Sequence, residues 1–150
     1  MIDELMHNSF WGIDKIKTPD PVLFNNFKTA YRLPEDYTQL LSVTDGFVLF
    51  QAGDYEIYDI DWVLQYKNEP KYSSGLQKDI LCIGYFMEYE LMINQKESHT
   101  GSYLYAGFAS SPDDYVRIGT ITDFLNGLIH SKGEIPFWEI EGQEKYRFFD

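Results

Sequence analysis

Apolar and polar positions repeat along this chain with two different periods, and the switch between them divides it. Between residues 20 and 46 the spacing is helical. Asp20 before Pro21 supplies an N-cap and a proline at the first helical position, and Val22, Leu23, Phe27 and Ala30 form an apolar face. Leu33-Pro34-Glu35-Asp36 restarts a helix, with two acids at the positive end of its dipole. Tyr37, Leu40, Leu41 and Thr44 follow at helical intervals, and Gly46 provides a stop.

After Gly46 the period shortens. Phe47-Val48-Leu49-Phe50 and Tyr55-Glu56-Ile57-Tyr58 flank Ala52-Gly53-Asp54, which predicts two strands around a turn. Asp59 caps a short helix in which Ile60, Val63 and Leu64 share a face. Residues 68–79 carry Pro70, Ser73, Ser74 and Gly75, and are expected to be loop. Three more strands are predicted at residues 80–86, 89–94 and 103–109. Thr120 and Asp123 then form a capping-box pattern with Asp in place of the usual Glu. Ile121, Phe124, Leu125, Leu128 and Ile129 line one helical face, which ends near Gly133. The aromatic, acidic tail 135–150 is expected to add a last strand or a strap across the sheet. Strands in runs, rather than in alternation with helices, indicate an α+β fold.

At 150 residues the chain has the length of one domain and can bury a core without disulfides or structural metal. No linker, repeat or low-complexity tract divides it, so a single domain over residues 1–150 is expected. Charge changes the picture most. There are 24 acids against 12 bases, a formal net charge of -12. Such a surface repels nucleic-acid phosphates and anionic lipid and attracts a basic partner. The lone Cys82 lies in the apolar run Ile80-Leu81-Cys82-Ile83, where a buried, inert thiol is expected. The acidic start Met1-Ile2-Asp3-Glu4-Leu5 does not resemble a signal peptide, and no apolar run approaches the ~20 residues of a membrane span. A soluble cytosolic protein is expected.

Chemistry is sparse. His7, His99 and His130 are far apart, and no phosphate-binding glycine loop or nucleophile elbow is present. Neither metal nor cofactor is expected, and no catalytic residue is assigned. Among the many carboxylates, Glu88 and Glu90 stand at alternate positions of a predicted strand. They are the first pair to inspect for a hydrolase, whose two carboxylates must lie roughly 5–10 Å apart, but no partner motif accompanies them and an exposed strand face is the favoured reading. More unusual is the stretch from Leu33 to Tyr66, with seven acids and no Lys or Arg. Helix starts and caps account for about half of these acids, but ordinary surfaces mix the two signs. The intervals 79–95 and 97–116 are also base-free, and carry Glu88, Glu90, Asp113 and Asp114. Tyrosines lie beside several of these acids, and tyrosine suits interfaces by its large rigid area and polar tip. Asp54, Tyr55, Glu56, Tyr58, Glu88 and Glu90 are therefore the predicted partner-binding residues.

The block Leu33-Pro34-Glu35-Asp36-Tyr37-Thr38-Gln39-Leu40-Leu41, followed by Asp45-Gly46, resembles the signature of the SUKH superfamily. That family includes yeast Smi/Knr-type cell-wall regulators and many bacterial immunity proteins. Ile57-Tyr58-Asp59-Ile60-Asp61-Trp62-Val63, the strand 80–86 with Gly84, and Ile121-Thr122-Asp123-Phe124-Leu125 are similar to further segments of the family. The resemblance spans about residues 20–130. It implies an α+β domain with a mixed, mostly antiparallel sheet flanked by helices, and no catalytic residues. It also implies binding and neutralisation of a polymorphic toxin, here a cationic, nuclease-like toxin domain, or alternatively a regulatory scaffold that binds host proteins.

Overall fold

A computed structural model describes residues 9–13, 17–50, 54–139 and 141–150. The predicted turn residues Ala52 and Gly53, and His7, lie outside the described residues. The local cap chemistry is realised closely. Helix α1, Pro21–Ala30, begins where Asp20 Oδ1 accepts from the Val22 and Leu23 amides at 2.8 and 3.2 Å. Its inward residue is Phe27, while Val22, expected on the apolar face, points to solvent. Helix α2, Glu35–Val43, buries Tyr37, Leu40 and Leu41. The chain then turns at Gly46, whose φ is +75°. A Cβ there would lie 2.6 Å from the Asp59 amide nitrogen and the Ile57 oxygen, so only glycine fits.

Among the described residues six strands follow as an antiparallel meander in sequence order: β1 Phe47–Val48, β2 Tyr55–Ile57, β3 Ile80–Phe86, β4 Tyr89–Asn94, β5 Leu104–Phe108 and β6 Val116–Gly119. The α+β class is as expected, and every pairing among these strands is antiparallel, with no parallel member of the mixed sheet that the resemblance implied. Strand β1 stops at Val48 because Phe50 adopts a φ of 57° and gives its amide to the Trp11 carbonyl. Strand β6 was not predicted. Between β2 and β3 run helix α3, Ile60–Asn68, and the single helical turn α4, Pro70–Ser73, in a stretch expected to be loop. Helix α5, Ile121–His130, opens on the Thr120–Asp123 capping box. Among the described residues no helix is long and apolar enough to cross a membrane.

Strand alternation sorts the side chains onto two faces. Leu91 and Ile93 of β4 share a face with Phe86, whose ring lies 4.8 Å from Phe124 of α5. Helices α2 and α5 pack together. The Asp36 carboxylate locks their N-terminal ends by accepting from the Thr122 amide at 3.1 Å, the Thr122 hydroxyl at 2.8 Å and the Tyr103 hydroxyl. The opposite face carries Glu90 and Met92, and is covered by α3 and by the end of the tail, while Phe137 and Trp138 pack with Phe124 on the first face. Tyr146 and Phe148 of the tail lie 5.0 and 4.7 Å from the Tyr105 ring. Among the described residues the tail pairs only through isolated bridges, Tyr115 with Tyr146 and Leu76 with Phe149, so it is a strap rather than a strand.

A meander places alternate connections at the same end of its sheet. The β1–β2, β3–β4 and β5–β6 connections share one end, and the entry to β3 and the exit from β4 share the other.

Candidate functional site

At the first of these ends the three connections carry Asp54, Glu88, Asp113 and Asp114 and no Lys or Arg. Glu139 of the tail joins them, accepting from the Tyr89 hydroxyl at 3.4 Å. Asp113 is paired with Arg147 of the strap. At the second end, roughly 20 Å away along the strands, the sign reverses. A groove of about 680 Å³ is lined by Lys28, Arg32, Lys78, Lys96 and His99, with Asp79 its single acid. Lys96 lies 3.5 Å from Asp79.

The β3–β4 turn is made by Met87 and Glu88, with φ of 50° and 73°. Phe86 pairs directly with Tyr89, so this is a two-residue hairpin with both central residues at positive φ, a geometry that favours Asn-Gly. Glu88 therefore stands on the turn, not on the strand as expected, and is exposed. Glu90 departs from expectation in the other direction. It is only 6 % exposed, so the exposed strand face foreseen for it does not exist. Its Oε2 accepts from the Tyr66 hydroxyl at 2.6 Å and from the Cys82 thiol at 3.5 Å. Its Oε1 is enclosed, and the equally enclosed Tyr115 hydroxyl lies within hydrogen-bonding reach of the carboxylate; burial first, and then the Glu90 charge, raise that hydroxyl. Burial first, and then the Glu90 charge, push the Cys82 thiol up, which keeps it protonated and inert. Burial, followed by Cys82 and Glu90, likewise raises the Tyr66 hydroxyl.

Across the sheet, Glu56 of β2, Tyr85 of β3 and Glu90 of β4 stand in one register row, on the same face. Burial first, and then Asp59, raise the Glu56 carboxyl above its ordinary value. Tyr58, just past β2, is buried with its ring 6.0 Å from Trp62. Tyr55 is the exception among the predicted residues. It lies on the opposite face, with its ring 4.9 Å from Phe50 and 6.2 Å from Phe86. Alternation forbids Tyr55 and Glu56 from sharing a face, and that rule was available from the sequence. Asp54 is exposed at the entry to β2, where its carbonyl accepts the Met87 amide and ties the β1–β2 and β3–β4 connections together.

Beneath Glu88 a cavity of about 540 Å³ opens between α3, α4 and the hairpin. Its walls are Tyr58, Trp62, Tyr66, Tyr72, Tyr85 and Phe108, and its charged lining residues are Glu88, Glu90 and Lys71. The rings hold one another: Trp62 lies 5.2 Å from Tyr72, and Tyr66 stacks on Tyr72 at 5.9 Å. Trp62, Tyr66 and Tyr72 were not among the predicted binding residues. Trp62 and Tyr66 are four apart on one helix, a spacing that puts both on one face, whereas Tyr72 lay in a presumed loop. The structure thus brings Tyr58, Glu88 and Glu90 together at this cavity, with Glu56 in the adjoining row, and leaves Tyr55 outside.

Among the described residues, no group of three His, Cys, Asp or Glu side chains is placed to hold a metal ion. His130 caps its own helix, with Nδ1 2.8 Å from the Asn126 oxygen. The cavity combines negative charge with aromatic surface, and its lining holds no basic group except Lys71, while Arg147 on Asp113 and Lys145 beside Asp114 and Glu139 stand on the tail side of the same end. Compared with protein-family models and with curated proteins, the sequence matches none.

Proposed function

We propose that this protein is a non-enzymatic, acidic binding domain that neutralises a basic toxin, of the nuclease kind, by covering it at the hairpin end of the sheet. The observation that carries this reading is the segregation of charge. Three base-free connections converge beside a tyrosine-rich cavity, while basic side chains gather at the far end. A nuclease surface is basic because it must hold phosphates. An acidic surface with rigid rings meets it with complementary charge and little loss of side-chain freedom. No step of this reading needs a cofactor, a metal or a nucleophile.

A regulatory scaffold is the second reading. The basic groove lined by Lys28, Arg32, Lys78 and Lys96 favours it, because it offers a second surface to a second, acidic partner.

The test is binding of the full chain to the protein encoded beside it. The triple variant Asp54→Lys, Glu56→Lys, Glu88→Lys is expected to weaken that binding at least about 100-fold, since like charges are then juxtaposed, while its thermal melt stays close to that of the parent. Glu90 is left intact because a lysine in its enclosed position would break the fold. Equal affinity for parent and variant, or no binding by the neighbouring product, overturns the reading.

A further inference from the structure

The cavity beneath Glu88 has features that a general acidic surface does not require. Six aromatic rings wall it, and it contains a carboxylate that is 6 % exposed and whose hydrogen-bonding neighbours, the Tyr66 and Tyr115 hydroxyls and the Cys82 thiol, are all neutral. Enclosing a carboxylate that has no cation beside it is costly. An apolar plug would seal Glu88 and Glu90 further from water without compensating either, and an anion would be repelled by both. A cation answers both features, because its charge faces the two carboxylates and its faces meet the negative quadrupoles of the rings. The protein already supplies one instance at the rim, where Lys71 Nζ lies over the Tyr72 ring, 5.3 Å from its centroid.

We propose that this cavity is an aromatic cage for one cationic side chain, a lysine or arginine projecting from the partner. The proposal rests on the partner-binding reading above and deepens it by naming the chemical group that enters. The side chain passes the Glu88 rim and sets its head group between Tyr58, Trp62 and Tyr72, with Glu90 at the base. The (CH₂) stem lies against Tyr85 and Phe108. Lys71 competes for the same rings from within the chain.

The experiment needs no partner. The full chain is titrated with N-acetyl-lysine methylamide, N-acetyl-arginine methylamide and the uncharged N-acetyl-norleucine methylamide, followed by the Trp62 indole resonance. Saturable shifts with the two cations, at least about 5-fold weaker with norleucine, are expected. Trp62→Leu should weaken cation binding about 5-fold or more, and Lys71→Met should strengthen it. Trp62→Phe, which keeps a ring in place, guards against a folding failure of the leucine variant and should lie between the two. Equal shifts with norleucine overturn the cationic assignment. Shifts confined to exposed acids such as Asp54, with Trp62 unmoved, overturn the cage. Either of those results, found with a partner still lost on triple charge reversal, refutes the cage and leaves the acidic surface standing.

Discussion

Glu90 illustrates how a residue's neighbours, more than its type, decide its work. An acid in the middle of a strand is ordinarily solvated, yet this one is enclosed among Tyr66, Cys82 and the rings of the cavity. Two substitutions separate its structural and electrostatic parts. Glu90→Gln keeps an acceptor for Tyr66 and removes the charge, so stability in urea should change by less than about 1 kcal/mol while cation binding at the cavity falls. Glu90→Ala removes the acceptor and leaves a void, and should cost about 2–3 kcal/mol. A similar cost for both variants would show that the charge itself is what the surrounding structure requires. Local side-chain chemistry was legible at this scale: Asp20, Asp59 and Thr120 bond to backbone amides within three residues of themselves. Asp45 was not. Its Oδ1 accepts the amide of Ile60, fifteen residues on, at 2.8 Å. A bond across that separation exists only once the chain has turned at Gly46.

Among the elements, the β3–β4 hairpin is where conformation and function conflict. Two L-residues at positive φ cost about 1 kcal/mol or more relative to Asn-Gly in the same turn, and Met87 and Glu88 bear that cost at the rim of the cavity. The double variant Met87→Asn, Glu88→Gly should therefore raise stability by about 1 kcal/mol or more, read from urea melts, while weakening the partner through loss of the Glu88 charge. A variant that gains stability and keeps full affinity would show that the turn's sequence is not held by binding. Strands β3 and β4 could be read to the residue because continuous or near-continuous apolar runs flank that turn. Strand β6 could not. Val116-Arg117-Ile118-Gly119 is short and half polar, and is made a strand by its ladder to β5, across a register shift next to Leu104. Helix α4 is one turn long and packs on α3, so its sequence alone gives no periodic signal.

Over the whole molecule the meander converts a chain with evenly distributed charge into one with two unlike ends. Each half of the sequence holds the same surplus of acids, yet the base-free connections meet at one end of the sheet and Lys28, Arg32, Lys78 and Lys96 meet at the other. An oriented field of this kind steers a basic partner during approach. The association rate with the neighbouring gene's product should fall about tenfold or more between low and physiological salt, with little change in dissociation. Stopped-flow mixing measures this, and a rate indifferent to salt would leave the field without a role in encounter. By itself the sequence determined the α+β class, the caps, the buried thiol and the surplus of negative charge, because those follow from local periodicity, nearest-neighbour hydrogen bonds and simple composition. Only the tertiary structure decided which acids stand free, which are consumed by Tyr, Thr and backbone partners, and that Trp62, Tyr66, Tyr72 and Tyr85 wall one cavity with Glu90. The physical reason is that these groups lie up to tens of residues apart, and strand register and the crossing of α3 over the sheet bring them within reach of one another.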